Sequence, residues 1–189
     1  MLSIESLIDR HARQTLRDIA AASIEFGLQR GRALQVVAAE YPSALQAPRA
    51  TFVTLHKDGD LRGCIGSLEV QRALIADVAM NAFAAAFRDP RFAPVRTDEL
   101  AALDMHISVL SPAQPLQFHD EADLLSQLRP GLDGLILEEE HHRGTFLPSV
   151  WESLPQPEEF LAHLKLKAGL AAEYWSRDIR VSRYTTESF

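Results

Sequence analysis

Apolar residues recur at helical spacing in two long stretches of the first half of the chain. Residues 3 to about 30 predict a helix, which Ser3 would cap and which would stop near Gly31. Residues 71–89 predict a second helix, which Pro90 ends because proline cannot continue a helical hydrogen-bond ladder. The two apolar stripes consist of Ile4, Leu7, Ile8, Ala12, Leu16, Ile19 and Ala20, and of Leu74, Val78, Ala82 and Phe83.

Strand-like segments lie between and after these helices. Residues 50–56 ("ATFVTLH") and the segment "LRGCIGSL" flank Asp58 and Gly59, two residue types that tolerate positive φ. This pattern predicts a β-hairpin with its turn at Asp58-Gly59. Residues 103–110 ("LDMHISVL") alternate in polarity and predict a further strand.

The second half of the chain predicts a short helix at 120–129 and a hairpin that runs from "GLILEEE" through "HHRG" to "TFLP". A helix in "QPEEFLAHLKLKAGL" and a last strand, "IRVSRYT", follow. Because hairpins dominate this order, we predict an α+β fold with a mostly antiparallel sheet and packed helices. Residues 1–189 would form one domain in two lobes, with a crossing near 111–116, where "SPAQPL" breaks the pattern.

Composition narrows the classes of function. A hydrophobic content of 47% is enough to bury a core, and a net charge of -7 without a basic stripe disfavours nucleic acid as a partner. A single cysteine forms no internal disulfide. The start of the chain has no signal-peptide pattern, and no apolar run reaches the ~20 residues that span a bilayer. We therefore expect a cytoplasmic protein that does not enter the membrane.

The cysteine lies in a glycine-containing strand, "DLRGCIGSL". Glycine in a strand often marks a bulge or the close approach of a ligand or another backbone, so Gly63 and Gly66 would let a ligand come close to Cys64. The alternative is that these glycines permit tight packing and that Cys64 fills a small core site, because free cysteine is commonly buried. Both interpretations stay open at this point.

The register of the hairpin decides which side chains surround the thiol. A two-residue turn with regular pairing would place Cys64 opposite Val53, on one face with Arg62. Arg62 would then stabilise a Cys64 thiolate, while His56 would lie on the other face unless a bulge shifts the register. His106 or His119, on other elements, could supply a base.

Two further clusters are candidates. Arg88, Asp89 and Arg91 in "FRDPRF" would form a clamp for a carboxylate or phosphate, or else a helix stop with a local Arg–Asp pair. The histidines show no metal-ligand spacing, so no metal site is predicted, and "EEEHHRG" is best interpreted as a solvated hairpin tip.

Four motifs, "FVTLHKDGDLRGCIGSL", "AFRDPRFAPV", "GTFLPSVW" and "FLAHLKLKAGL", resemble the AMMECR-one domain family in the same order. The resemblance covers nearly the whole chain. It implies an α+β fold with two intimately connected subdomains and a functional segment at Leu61–Gly66. It identifies no reaction and no cofactor.

Bacterial members of this family are similar to one component of a three-part system, the AmmeMemoRadiSam system. The resemblance therefore implies a Memo-like protein and a radical SAM protein as partners. Two functions follow. The first is a module that binds a ligand or partner around Leu61–Gly66, with contributions from His56, Arg88, Asp89 and Arg91. The alternative is an enzyme that uses Cys64 as a thiolate nucleophile, with Arg62, in group transfer on an acidic small molecule or protein.

Overall fold

The chain folds into two compact units. The computed structural model describes residues 8–189. The first unit comprises the chain up to Leu110 together with Glu187–Phe189, and the second comprises Ser111–Thr186. The predicted α+β class is confirmed, because helices accompany two separate antiparallel sheets of four strands each.

The first unit packs two long helices on one face of its sheet. The sheet has the strand order β2-β1-β3-β8, and both outer neighbours of β1 run antiparallel to it. Val53, Leu55 and Ile107 point to the covered face and are fully buried with the apolar stripes of α1 and α3. Its elements are α1 (Arg10–Arg30), α2 (Ser43–Gln46), β1 (Thr51–Lys57), β2 (Asp60–Gly66), α3 (Leu74–Phe87), β3 (Leu103–Leu110) and β8 (Thr186–Ser188), with short 3₁₀ helices at Ala38–Glu40 and Thr97–Ala102.

The second unit has its own sheet and its own core. The strand order is β4-β7-β5-β6, and the α5 helix contributes Phe160, whose ring stacks on Trp151 at a centroid distance of 3.8 Å. Trp151 also donates a hydrogen bond from its indole nitrogen to the Asp133 carbonyl oxygen. Its elements are β4 (Gln114–Pro115), α4 (Glu121–Gln127), β5 (Gly134–Glu139), β6 (His142–Phe146), α5 (Pro157–Lys167) and β7 (Arg180–Tyr184), with a 3₁₀ helix at Pro148–Glu152.

The strongest local signals predicted their elements well. Asp58 and Gly59 have φ angles of 54° and 88°, the pair of positive values that a tight hairpin turn of this kind requires. Gly31 ends α1 in the left-handed region at φ 69°. The strand predicted at 103–110 coincides with β3.

Other boundaries were wrong or incomplete. The first helix begins at Arg10, because the Asp9 side chain accepts a hydrogen bond from the Ala12 N–H and caps it there. The predicted cap Ser3 lies outside the described residues. The stretch between the first helix and residue 50, for which no element was predicted, contains α2. Strands β4 and β8 were not predicted because each has at most three residues, too few to show a period.

None of the helices in residues 8–189 combines the length and the apolar character needed to cross a membrane.

Candidate functional site

One extra residue in β2 sets the geometry around the cysteine. His56 pairs with Leu61, but the next residue of β1, Leu55, pairs with Gly63. Arg62 is therefore the bulged residue, left without a partner on β1. From this point on, every side chain of β2 lies on the opposite face from the one that regular pairing predicts.

The predicted register is therefore wrong at the cysteine. Cys64 pairs with Thr54, whereas regular pairing placed it opposite Val53. Since paired residues share a face and faces alternate along a strand, Cys64 lies on the same face as Thr54 and His56. This is the face opposite the two packed helices, because Val53 and Leu55 occupy the covered one.

A polar row crosses this outer face of the sheet. The Cys64 Sγ lies 3.2 Å from the Thr54 Oγ1, and the thiol is half-buried. Thr54 in turn pairs with His106 on β3. His106 is thus two strands from Cys64, a separation of about 10 Å at the usual strand spacing. Its imidazole therefore does not contact the thiol.

The two histidines of this face contact each other. Their rings lie edge to face with centroids 5.5 Å apart, and His106 Nε2 lies 3.1 Å from the Asp104 Oδ2. The His56 Nδ1 is buried and has no hydrogen-bond partner within residues 8–189. An unpartnered buried nitrogen costs free energy, so the burial of the His56 Nδ1 is a destabilising feature of this face. His119 belongs to the second unit, where its backbone N–H donates to Asp123.

The free edge of β2 is occupied by the loop that follows α3. The Cys64 N–H donates to the Asp89 Oδ2 at 2.9 Å, and the Arg91 Nη2 donates to the Cys64 carbonyl oxygen at 3.4 Å. Arg91 also donates to both Asp89 oxygens, at 2.9 and 2.7 Å. A side-chain pair thus takes the hydrogen bonds that a further strand would otherwise make.

The pair Asp89 and Arg91 is called the edge clamp below. The charges of the two side chains strengthen it. The Arg91 guanidinium, with the N–H of Cys64, holds the pKa of the buried Asp89 carboxyl well below its usual range. The pKa of Arg91 is raised, chiefly by its bond to Asp89 and to a smaller degree by Cys64. Of the two alternatives for "FRDPRF", the local Arg–Asp pair is the one that the geometry supports.

Arg62 is engaged away from the thiol. It donates from Nε and Nη2 to the two oxygens of Glu99, at 3.0 and 2.9 Å, and from Nη1 to the Ala93 carbonyl oxygen at 2.8 Å. This bidentate pair lowers the pKa of Glu99 to about 2. The role predicted for Arg62 beside a thiolate therefore has no supporting contact, and Arg91 is the arginine that contacts Cys64.

The two glycines are explained by packing. A Cβ on Gly63 would lie 2.1 Å from the Ala85 carbonyl oxygen of α3. A Cβ on Gly66 would lie 2.3 Å from the Thr51 carbonyl oxygen and 2.4 Å from the Phe52 ring. Both positions require glycine for backbone approach within the protein, which is the packing alternative stated above.

Arg88 lies apart from the edge clamp. It is exposed, and its guanidinium lies 5.6 Å from the centroid of the Phe83 ring on α3. Residues 8–189 contain no group of three or more His, Cys, Asp or Glu side chains placed to hold a metal ion. Sequence reasoning missed Thr54 and Glu99 as neighbours of the segment, because neither pairing has a local signal.

The chain belongs to the AMMECR1 family. The AMMECR1 family model matches residues 17–189, which include most of the first unit, the whole second unit and the whole polar row. The resemblance of the four motifs is thereby confirmed.

Similar proteins match nearly the whole chain. A protein of Methanothermobacter thermautotrophicus is 38% identical over 188 residues, covering 96% of this chain and 95% of that protein. A protein of Thermotoga maritima is 41% identical over 151 residues, covering 78% of this chain and 82% of its own length. The crystal structure of an uncharacterised protein from Pyrococcus horikoshii has a TM-score of 0.86 at 30% identity, covering 97% and 93% of the two chains.

Proposed function

We propose that this protein is a binding module whose docking surface is the outer face of the first sheet around Leu61–Gly66. We further propose that its partners are a Memo-like protein and a radical SAM protein. The observation that carries the proposal is the edge clamp. Asp89 and Arg91 already form hydrogen bonds with the backbone N–H and carbonyl groups of Cys64 at the strand edge. A partner would therefore bind the side chains on the outer face of the sheet and would not add a strand at this position.

These side chains suit recognition. The Cys64 thiol, the Thr54 hydroxyl and the exposed imidazole of His106 offer several hydrogen-bonding groups within one surface. Leu61 adds an apolar contact at 39% exposure. Polar groups held on strands are positioned more precisely than groups on loops, and this favours a specific partner.

An activated nucleophile needs a base within hydrogen-bond reach. Within residues 8–189, the hydrogen-bond partner of the Cys64 Sγ is the Thr54 hydroxyl, which is not a base at neutral pH. This favours binding over catalysis. The enzyme alternative keeps one supporting observation: the Arg91 guanidinium donates to the backbone carbonyl oxygen of Cys64, whose thiol is half-buried.

The binding proposal is tested with purified Memo-like and radical SAM proteins encoded by the same genome. Titration calorimetry would compare wild type with Thr54→Val and His106→Gln. We expect each variant to weaken binding about tenfold, equivalent to the loss of one good hydrogen bond. Thr15→Val is the matched control, because Thr15 is a partly exposed threonine on α1, which packs on the other face of the sheet. Absence of binding to either protein, or unchanged affinity in both face variants, would contradict the proposal.

Cys64→Ser separates the two functions. Serine keeps a hydrogen-bonding group beside Thr54, so a binding surface would keep its affinity within about threefold. A nucleophilic thiol would instead lose turnover in the reconstituted three-protein system while partner binding stays intact. The second result would establish the enzyme alternative.

A further inference from the structure

A long groove runs along α3 outside the site described above. Its volume is about 570 Å³, and it lies between α3 and segment 32–37, which follows α1 and belongs to no helix or strand. It includes none of the outer-face residues or the edge clamp. Segment 32–37 lines it on one side, and Arg72, Met80, Phe83 and Arg88 line it on the other.

The two walls run in opposite directions. Ser23 of α1 donates to the Ala79 carbonyl oxygen of α3, and Gly27 packs one turn further on against Phe83, so α1 and α3 are parallel. After Gly31 the chain turns back, and the Leu34 N–H donates to the Ser23 Oγ at 3.1 Å. Segment 32–37 therefore returns along α3 towards its beginning.

Arginines stand at both ends of the groove. Arg32 and Arg88 line it beyond the end of α3, and neither forms an ion pair with any residue in the described range. Arg72 lies just before α3 and pairs with Asp77 at 3.3 Å. The helix between them has 14 residues, or about 21 Å. On a chain with a net charge of -7, this concentration of positive charge favours an anionic occupant.

The wall formed by segment 32–37 has free backbone donors. The N–H groups of Gln35 and Val37 donate no hydrogen bond within residues 8–189, and Val37 has extended backbone angles of -86° and 97°. An extended segment with unpaired backbone groups is a template for the addition of another strand. A small anion would leave these donors unused.

The floor is apolar and adaptable. Met80 is 42% exposed and Val37 is 59% exposed, and both line the groove with Phe83. Methionine packs well against varied side chains because it is unbranched and polarisable. The floor therefore accepts the apolar side chains of an extended segment.

We propose that this groove binds an extended peptide segment of a partner protein, with acidic side chains near both of its ends. Its backbone pairs with Gln35 and Val37, its apolar side chains pack on Met80, and its carboxylates bind Arg88 and Arg32 at one end and Arg72 at the other. The proposal is independent of the function assigned to the Cys64 face, because the two surfaces share no residue.

A random peptide library displayed on phage tests the proposal on the full chain. Selections would run in parallel on wild type, on Arg32→Gln/Arg88→Gln and on the charge-matched control Arg177→Gln/Arg180→Gln, which changes exposed arginines of the second unit. We expect acidic, β-prone peptides to be enriched on wild type and on the control, and their affinity to fall about tenfold on the groove variant. No enrichment, or the same peptides on the groove variant, would overturn the proposal.

Methyl NMR locates the binding of a selected peptide. With methionine methyl labelling, Met80 reports on the groove, while Met105 packs against the core of the first unit. We expect the Met80 signal to shift on titration and the Met105 signal to stay. Free glutamate and octanoate are the small-anion probes. If either shifts Met80 at the same concentration as the peptide, the groove is a small-molecule site and the peptide proposal fails.

Discussion

The two faces of strand β2 have opposite chemistry although they belong to one six-residue segment. On the covered face, Gly63 lies so close to the Ala85 carbonyl oxygen that no side chain fits. On the outer face, Cys64 is half-buried beside Thr54, and the same face carries two imidazoles that contact each other. Adjacent residues of one motif therefore have different roles. Gly63 allows α3 to pack closely on the strand, whereas Cys64 lies on the outer face of the sheet.

The bulge at Arg62 is what separates these roles. With regular pairing, Gly63 and Cys64 would exchange faces, and the thiol would meet the backbone of α3. Because Arg62 is left over, its side chain reaches Glu99 and fixes the strand from outside the ladder. The bulge within the motif thus places the Cys64 side chain on the outer face of the sheet.

The largest effect is expected from Gly63→Ala. The added methyl group would meet a backbone oxygen at 2.1 Å, and a helix backbone cannot move aside as a flexible side chain can. We expect a loss of about 3 kcal/mol in the free energy of unfolding, measured by urea denaturation. Gly59→Asn is the control for the loss of a glycine without a steric clash, because the position is open. It strains the positive φ of the hairpin turn, for which asparagine is among the best tolerated substitutes, and it should therefore cost less than Gly63→Ala. Equal stability of Gly63→Ala and wild type would remove the packing explanation.

A smaller loss is expected from Asp89→Asn, which breaks the edge clamp. The buried carboxylate accepts the Cys64 N–H and pairs with Arg91, so its replacement costs about 2 kcal/mol. Native-state hydrogen exchange should also show faster exchange of the Cys64 amide. Unchanged protection of that amide would mean that the clamp does not hold the strand edge.

The pH dependence of stability tests the ion pair between Glu99 and the bulged residue Arg62. The pKa of Glu99 is about 2 in the folded protein, against an ordinary value of 4.5. The ionised Glu99 carboxylate therefore contributes its full share to the free energy of unfolding above pH 4.5. This contribution is lost as the pH falls through the window from 4.5 to about 2. Chemical denaturation followed by circular dichroism should show a shallower acid loss in Glu99→Gln than in wild type. Identical pH profiles would show that the Arg62–Glu99 pair does not contribute.

Local signals predicted much of this fold, whereas the glycines of β2 indicated only that a bulge was possible and did not place it at Arg62. The Asp58-Gly59 turn and the alternation of β3 follow from residue types a few positions apart. The bulge places Arg62 in an ion pair with Glu99, which lies 37 positions further along the chain, and local sequence does not reveal a contact at that separation. One unpaired residue inverts every side chain beyond it, so a correct hairpin still gave the wrong neighbours for Cys64. The clash at Gly63 likewise depends on tertiary packing of α3.

The smallest effect on stability is expected from Cys64→Ser. The side chain is half-exposed, and a hydroxyl can keep the hydrogen bond with Thr54, so unfolding should change by less than about 1 kcal/mol. Urea denaturation measures it beside Gly63→Ala. A loss as large as that of Gly63→Ala would show that the outer face of β2 is as tightly packed as the covered face, and would contradict the difference between the two faces.

The central claim is that the Cys64 face is where a partner docks. Alkylation by iodoacetamide tests it directly, because the chain has one thiol. The account predicts that Cys64 reacts in the free native protein and is protected about tenfold or more by a saturating amount of the Memo-like or radical SAM protein. An alkylation rate that does not change when the partner is bound would contradict the claim.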